Sequence, residues 1–222
     1  MIATPPDPIP DARRRGFLRR TTALVMLGLA SAAEAADAVL RITPPNALGP
    51  FYPPRKPADS DADLTRVTGR GGRAQGTLLY VDGRVLDVRG RPQAGAELEL
   101  WQCNAFGRYT HPADTDGSGA LDPDFQGYGR LLADADGRFR IKTIKPPPYS
   151  GRTPHIHFNV ASGGTRLTTQ MFFEGEPANE RDGLFRYLSR EDRRASTGRF
   201  VDRSAAMETD AVAVVWDIVL EG

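Results

Sequence analysis

His155-Ile156-His157-Phe158-Asn159-Val160 alternates polar and apolar side chains residue by residue. Residues i and i+2 of a strand share a face, so Ile156, Phe158 and Val160 point to a core while His155, His157 and Asn159 point away together. The same alternation recurs upstream. Ala96, Leu98 and Leu100 interleave with Glu97, Glu99 and Trp101 after the turn signals of Asp87-Val88-Arg89-Gly90-Arg91-Pro92. Phe139, Ile141 and Thr143 interleave with Arg138, Arg140 and Lys142 after Asp134-Ala135-Asp136-Gly137. Thr168-Thr169-Gln170-Met171-Phe172-Phe173 reads as another strand, and Val212, Val214, Trp216, Ile218 and Leu220 as the last one. Helical spacing is confined to 180–195, through Leu184, Tyr187, Leu188 and Glu191. Short strands parted by turns predict an all-β protein, an antiparallel β-sandwich with little helix.

Composition agrees with that reading. The chain of 222 residues holds 23 Gly and 18 Pro, which disfavours a helix bundle. With 40% hydrophobic residues it can build a real core. Lys and Arg number 29 against 28 Asp and Glu, a balance that argues against nucleic acid as a partner. The single cysteine, Cys103, excludes an internal disulfide framework and is expected to be an inert buried thiol.

Three histidines limit any histidine-based metal site to His111, His155 and His157. Two imidazoles on one strand face form a metal-ligand arrangement, although two exposed histidines on a sheet give the same pattern. No cysteine or carboxylate lies beside the pair, so a further ligand must come from elsewhere. Tyrosinate is a hard anionic donor suited to ferric iron, and Tyr149 and Tyr109 are the candidates. Taken singly, each tyrosine is equally a half-buried aromatic with a solvated hydroxyl. The loop Pro146-Pro147-Pro148-Tyr149 leads rigidly towards Arg152 and the histidine strand.

Five segments, in order, closely resemble the intradiol ring-cleavage dioxygenases, the family of protocatechuate 3,4-dioxygenase and catechol 1,2-dioxygenase. They are Leu48-Gly49-Pro50-Phe51-Tyr52, Trp101-Gln102 with Gly107-Arg108-Tyr109, Thr143–Tyr149, Arg152–Phe158 and Thr169–Gly175. The resemblance implies non-haem Fe(III) held by Tyr109, Tyr149, His155 and His157. It implies a catechol-type diol and O2 as substrates and a muconate-type dicarboxylic acid as product. Arg152 falls on the family's arginine and is expected to stabilise the electron-rich ring. Tyr149 is expected to leave its position and take a substrate proton. Gly49, Pro50, Tyr52 and Gln170 are expected around the substrate. Between Tyr149 and Arg152 stand only Ser150 and Gly151, where well-known members carry a longer loop, so an opened pocket is expected. With every motif on one chain, a homo-oligomer or a monomer is favoured over a two-chain enzyme. Gly83–Ala96 also looks like the opening hairpin of transthyretin-like sandwich modules, the non-catalytic alternative.

The chain divides into 1–35, 36–76 and 77–222. Arg13-Arg14-Arg15, a short apolar run over 21–30 and Ala33-Glu34-Ala35 occur in the order of a cleaved signal peptide. Arg14-Arg15-Gly16-Phe17-Leu18 is similar to the twin-arginine export signal, so a periplasmic or secreted enzyme is expected, with no membrane contact after cleavage. Residues 36–76 read as an extended arm, and 77–222 as the catalytic sandwich. Asp114-Thr115-Asp116-Gly117-Ser118-Gly119 opens like a calcium loop, but its twelfth position is Phe125 rather than Glu, so it reads as a solvated loop. His111 reads as a loop histidine and not a ligand.

Overall fold

The computed structural model describes Met1 and residues 39–115, 119–204 and 207–221. The expected signal peptide over 1–35 and the loop residues Asp116, Gly117 and Ser118 fall outside these, apart from Met1. The described chain is built on strands: β1 Leu78–Asp87, β2 Glu97–Trp101, β3 Tyr128–Leu132, β4 Arg138–Ile144, β5 His155–Ser162, β6 Thr165–Phe173, β7 Thr197–Val201, β8 Val212–Val215 and β9 Ile218–Leu220. The all-β expectation is met, with helix among the described residues limited to α1 Gly183–Arg186, α2 Arg190–Ala195 and a 3-10 turn over Pro177–Arg181.

Neighbouring strands run β3-β2-β5-β6-β7-β8-β1-β4, with β9 also on β1. Pairing is mixed rather than purely antiparallel, because β1 runs parallel to β8 and β9, and β6 parallel to β7. Leu98 and Leu100 of β2, Ile156 and Phe158 of β5, Leu79 and Val81 of β1 and Ile141 of β4 share one buried cluster. Both halves of the strand order therefore face a common interior, with Phe158 and Trp216 rings 5.1 Å apart at the middle. Burying such side chains contributes about 1.5–3 kcal/mol each, the main force closing the fold.

The expected last strand is in fact two. Trp216 donates its backbone N–H to Asp82 at 2.9 Å, and the Asp217 side chain takes the Arg84 N–H at 2.9 Å. The crossing depends on Gly83, where a Cβ would lie 1.9 Å from the Trp216 carbonyl oxygen. The expected helix over 180–195 is also interrupted. Asp182 caps α1 by accepting from Leu184 and Phe185, and Ser189 caps α2 by accepting from Asp192. Tyr187 lies between the two and is 91% exposed, so the helical spacing does not mark one buried face. Residues 39–76 run across the domain without helix or ladder strand. They are pinned by Leu40 to Val88, Thr43 to Val219 and Asn46 to Thr168 hydrogen bonds and by buried Leu64.

Candidate metal centre

β5 presents His155 and His157 on one face while Ile156 enters the core on the other, as the alternation requires. Both imidazoles are buried. Trp101, directly opposite His157 across β2, stacks on it at 4.9 Å and 12°. His155 Nδ1 lies 2.6 Å from the Thr153 carbonyl, an acceptor that assigns the proton to Nδ1 and leaves a lone pair on Nε2. That Nε2 lies 3.3 Å from the Tyr149 hydroxyl.

Tyr109 arrives through a loop that Asn104 organises: its Oδ1 accepts from Phe106 at 2.9 Å and Arg108 at 3.0 Å. Asp114 then accepts the Tyr109 N–H at 2.6 Å. The residue that suggested a calcium loop thus fixes a phenol. The Tyr109 hydroxyl donates to Tyr149 at 3.2 Å. Tyr149 follows the proline run and enters a two-residue turn: Arg152 donates to the Tyr149 carbonyl at 2.7 Å and Tyr149 returns the bond at 3.2 Å. Ser150 and Gly151 both take positive φ, 45° and 78°, as a type I′ turn demands.

The arm closes the other side. Gly49 has φ +74°, and a Cβ there would sit 2.9 Å from Cε1 of His157. Its neighbour Pro50 is exposed. Gln170 donates to the Ala47 carbonyl at 2.8 Å and accepts from Arg152 at 2.7 Å, so it supports the arm and the arginine. Tyr52 is not brought to the histidines. Its hydroxyl donates to Glu99 at 2.7 Å, Lys56 lies 3.5 Å over its ring, and it packs edge-on against Trp101 in the cluster that also holds Tyr109. A buried-edge carboxylate needs donors, and Tyr52 and Tyr128 both serve Glu99. His111 accepts from the Ala113 N–H at 3.0 Å, in keeping with a loop role. Burial pushes the Cys103 thiol up to about 12, which leaves it unreactive.

Sequence reasoning missed Asp182. Wholly buried, it accepts from Arg152 Nε at 2.8 Å and from the Thr153 N–H at 2.9 Å. Nothing local signals this role, since Asp182 stands far along the chain in a segment of helical spacing. Only its N-cap residue type before an apolar pair was visible.

Burial pulls His155 down to about 4, assisted by the Arg152 charge. Burial, His155 and Arg152 hold His157 well below the ordinary imidazole value. Both rings are therefore neutral at pH 7 and able to donate lone pairs. Burial raises Tyr109, reinforced by Tyr149, and also raises Tyr149, where Arg152 and the Tyr109 hydrogen bond oppose it. Arg152 lowers both phenols, but burial outweighs it; a bound metal cation would favour their ionised forms.

The donor set fits a metal ion. Bonds of ~2.0 Å at near-tetrahedral angles place neighbouring donor atoms ~3.3 Å apart. The separations here are 3.2 Å and 3.3 Å. Among the described residues no three His, Cys, Asp or Glu side chains cluster, so an ion bound here needs the phenols. Nδ1 of His157 is buried without a full hydrogen bond, and the Ala47 carbonyl favours its protonation only weakly.

The segments that carry the resemblance supply two phenols, two imidazoles and a guanidinium on a β-fold, and comparison with known proteins agrees. The chain belongs to the intradiol ring-cleavage dioxygenases: residues 47–222 match the family described as Dioxygenase. It is 38% identical over 182 residues to the protocatechuate 3,4-dioxygenase beta chain of Burkholderia cepacia, covering 78% of this chain and 77% of that one. It is 31% identical over 163 residues to catechol 1,2-dioxygenase of Candida albicans, covering 62% of this chain and about half, 49%, of the relative. Among solved structures it resembles the dioxygenase domain of a dioxygenase carbohydrate-binding protein fusion from Streptomyces sp. SirexAA-E. That match has TM-score 0.60 and 31% identity over 82% of this chain and 99% of that one. The family is iron-dependent, and membership sets aside the non-catalytic sandwich module.

Proposed function

We propose that this protein cleaves the ring of a catechol-type diol between its two hydroxyl-bearing carbons, using O2 and a ferric ion held by Tyr109, Tyr149, His155 and His157. The observation that carries this is the position of the Tyr149 hydroxyl, 3.2 Å from the Tyr109 hydroxyl and 3.3 Å from His155 Nε2, with Tyr109 and both histidines buried. When bound, ferric iron supplies Lewis acidity that draws electron density from a chelated diol and opens its ring carbons to O2. Diol plus O2 balances to a dicarboxylic acid, so no outside reductant is needed.

The chain's own residues do the rest. Neutral His155 and His157 hold the metal without adding charge, and the Thr153 carbonyl fixes the His155 tautomer. Tyr149 is less buried than Tyr109 and is the phenol that yields to substrate and takes its proton on Oη. Arg152 stabilises negative charge on the ring, an electrostatic contribution of the kind typically worth a hundredfold or more in rate. Trp101 and Gly49 confine His157 from two sides.

The test is iron analysis with visible spectroscopy. Iron-loaded protein is expected to be red to burgundy through tyrosinate-to-ferric charge transfer, and Tyr109→Phe to lose much of that absorption. Colourless protein at full iron occupancy would overturn the two-tyrosinate site. We further propose export through residues 1–35 by the twin-arginine route. Replacing Arg14 and Arg15 with Lys is expected to retain the precursor in the cell, and unchanged export would rule out that route.

A further inference from the structure

We propose that Asp182 is a positioning residue for catalysis, holding Arg152 in the orientation its charge-stabilising role requires; this rests on the function proposed above. Two of the three guanidinium nitrogens are committed. Nε donates to Asp182 Oδ2 at 2.8 Å, and Nη2 donates to Gln170 Oε1 at 2.7 Å. Held from two directions, the planar fork cannot rotate about its long axis, and Nη1 remains for the substrate. Nη1 has no hydrogen bond among the described residues, and the side chain is 22% exposed.

Asp182 is built for a fixed position. Its side chain is 0% exposed. All its lone-pair demand is met: Oδ2 also accepts the Thr153 N–H at 2.9 Å, while Oδ1 accepts from Leu184 at 2.9 Å and Phe185 at 3.1 Å. Burial raises the carboxyl pKa, but the Thr153 N–H and Arg152 win, and the group stays ionised. Its two oxygens have separable duties. Oδ1 caps α1 as any good N-cap would, and Oδ2 faces the arginine. A cap alone needs no charge, and uncharged Asn or Ser performs it equally well. The carboxylate is thus explained by Arg152, which needs an acceptor that keeps its geometry in a low-dielectric pocket.

Asp182→Asn preserves shape and cap but puts an amide where Nε and the Thr153 N–H need an acceptor. In the iron-loaded enzyme, kcat for catechol is expected to fall tenfold or more. Iron per chain and the visible band should be unchanged, and the catechol Kd should move less than about threefold. Asp182→Ser, which keeps the cap and withdraws from Arg152, is expected to show the same pattern if the Asn variant folds poorly. Added to Arg152→Lys, Asp182→Asn should have little further effect, because both act through one guanidinium. Wild-type kcat in Asp182→Asn, or the same factor lost again in the Arg152→Lys background, would overturn the inference. If Arg152→Lys itself turned over at the wild-type rate, the role of Arg152 would fail instead, so the two failures are distinguishable.

Discussion

Tyr149 and Arg152 face each other across a two-residue turn and exchange backbone hydrogen bonds at 3.2 and 2.7 Å. A candidate metal ligand and the candidate charge stabiliser therefore move as one unit. The short Ser150-Gly151 link makes this possible, since both residues take the positive φ of a type I′ turn. A longer loop would separate the two side chains; here their spacing is set by backbone geometry.

Ser150 occupies that turn at a cost. A non-glycine residue at φ 45° is strained, and Asn tolerates the left-handed region better. Ser150→Asn is expected to stabilise by about 0.5 kcal/mol, which is roughly 1–2 °C in Tm for a domain of this size. Calorimetry checks this, and a lower Tm would contradict the turn assignment.

Gly49→Ala is expected to damage the site through two effects at once. The new Cβ would press on His157 Cε1 at 2.9 Å, and φ +74° disfavours any side chain. Iron affinity should fall about tenfold or more, the scale of disturbing a ligand's supporting contacts. Titration against a chelator gives the number, and wild-type affinity would show that the arm does not press on the histidine.

Glu99 predicts a pH dependence of stability. Burial raises its pKa, but Tyr128, Tyr52, Asn159 and Lys56 together hold it at about 2. A folded pKa below the unfolded value of about 4.3 means the contribution is complete above that pH and is lost as pH falls towards 2. The Tm difference between wild type and Glu99→Gln should be constant from pH 7 to 5 and shrink between pH 4.5 and 3. A gap that widens on acidification would have the wrong sign.

Arg152→Lys is expected to retain iron and colour and to bind catechols, while turnover falls a hundredfold or more. A lysine ammonium is compact and cannot reach Asp182 and Gln170 with a planar fork while presenting a third nitrogen. Stopped-flow mixing of the enzyme–catechol complex with O2 follows the slowed step.

The sequence made β2 and β4 legible because one face of each is turned to the core, which enforces alternation; β5 alternates in residue type although both faces of its first four residues are buried, and β6 reads as a strand although its last five residues are all buried. β3 and β7 escaped notice: β3 carries Gly129 between Tyr128 and Arg130, and β7 is exposed over its last three residues. The break at Trp216-Asp217 depends on Gly83, far away in the chain, and no local signal encodes it. The histidine pair and both tyrosines could be read from motif and resemblance. The contact of Tyr52 with Glu99 was not legible, because the hydrogen bond joins the arm to a strand far along the chain. Asp182 could not be read at all, since a tertiary hydrogen bond has no sequence period.

Product analysis under isotopically labelled O2 bears most directly on the central claim. Iron-loaded protein incubated with catechol and 18O2 is expected to give cis,cis-muconate carrying both labelled atoms, one at each new carboxyl group. Ring opening beside the diol, giving 2-hydroxymuconic semialdehyde, or no O2 consumption with any catechol by fully iron-loaded, coloured protein, would contradict the account.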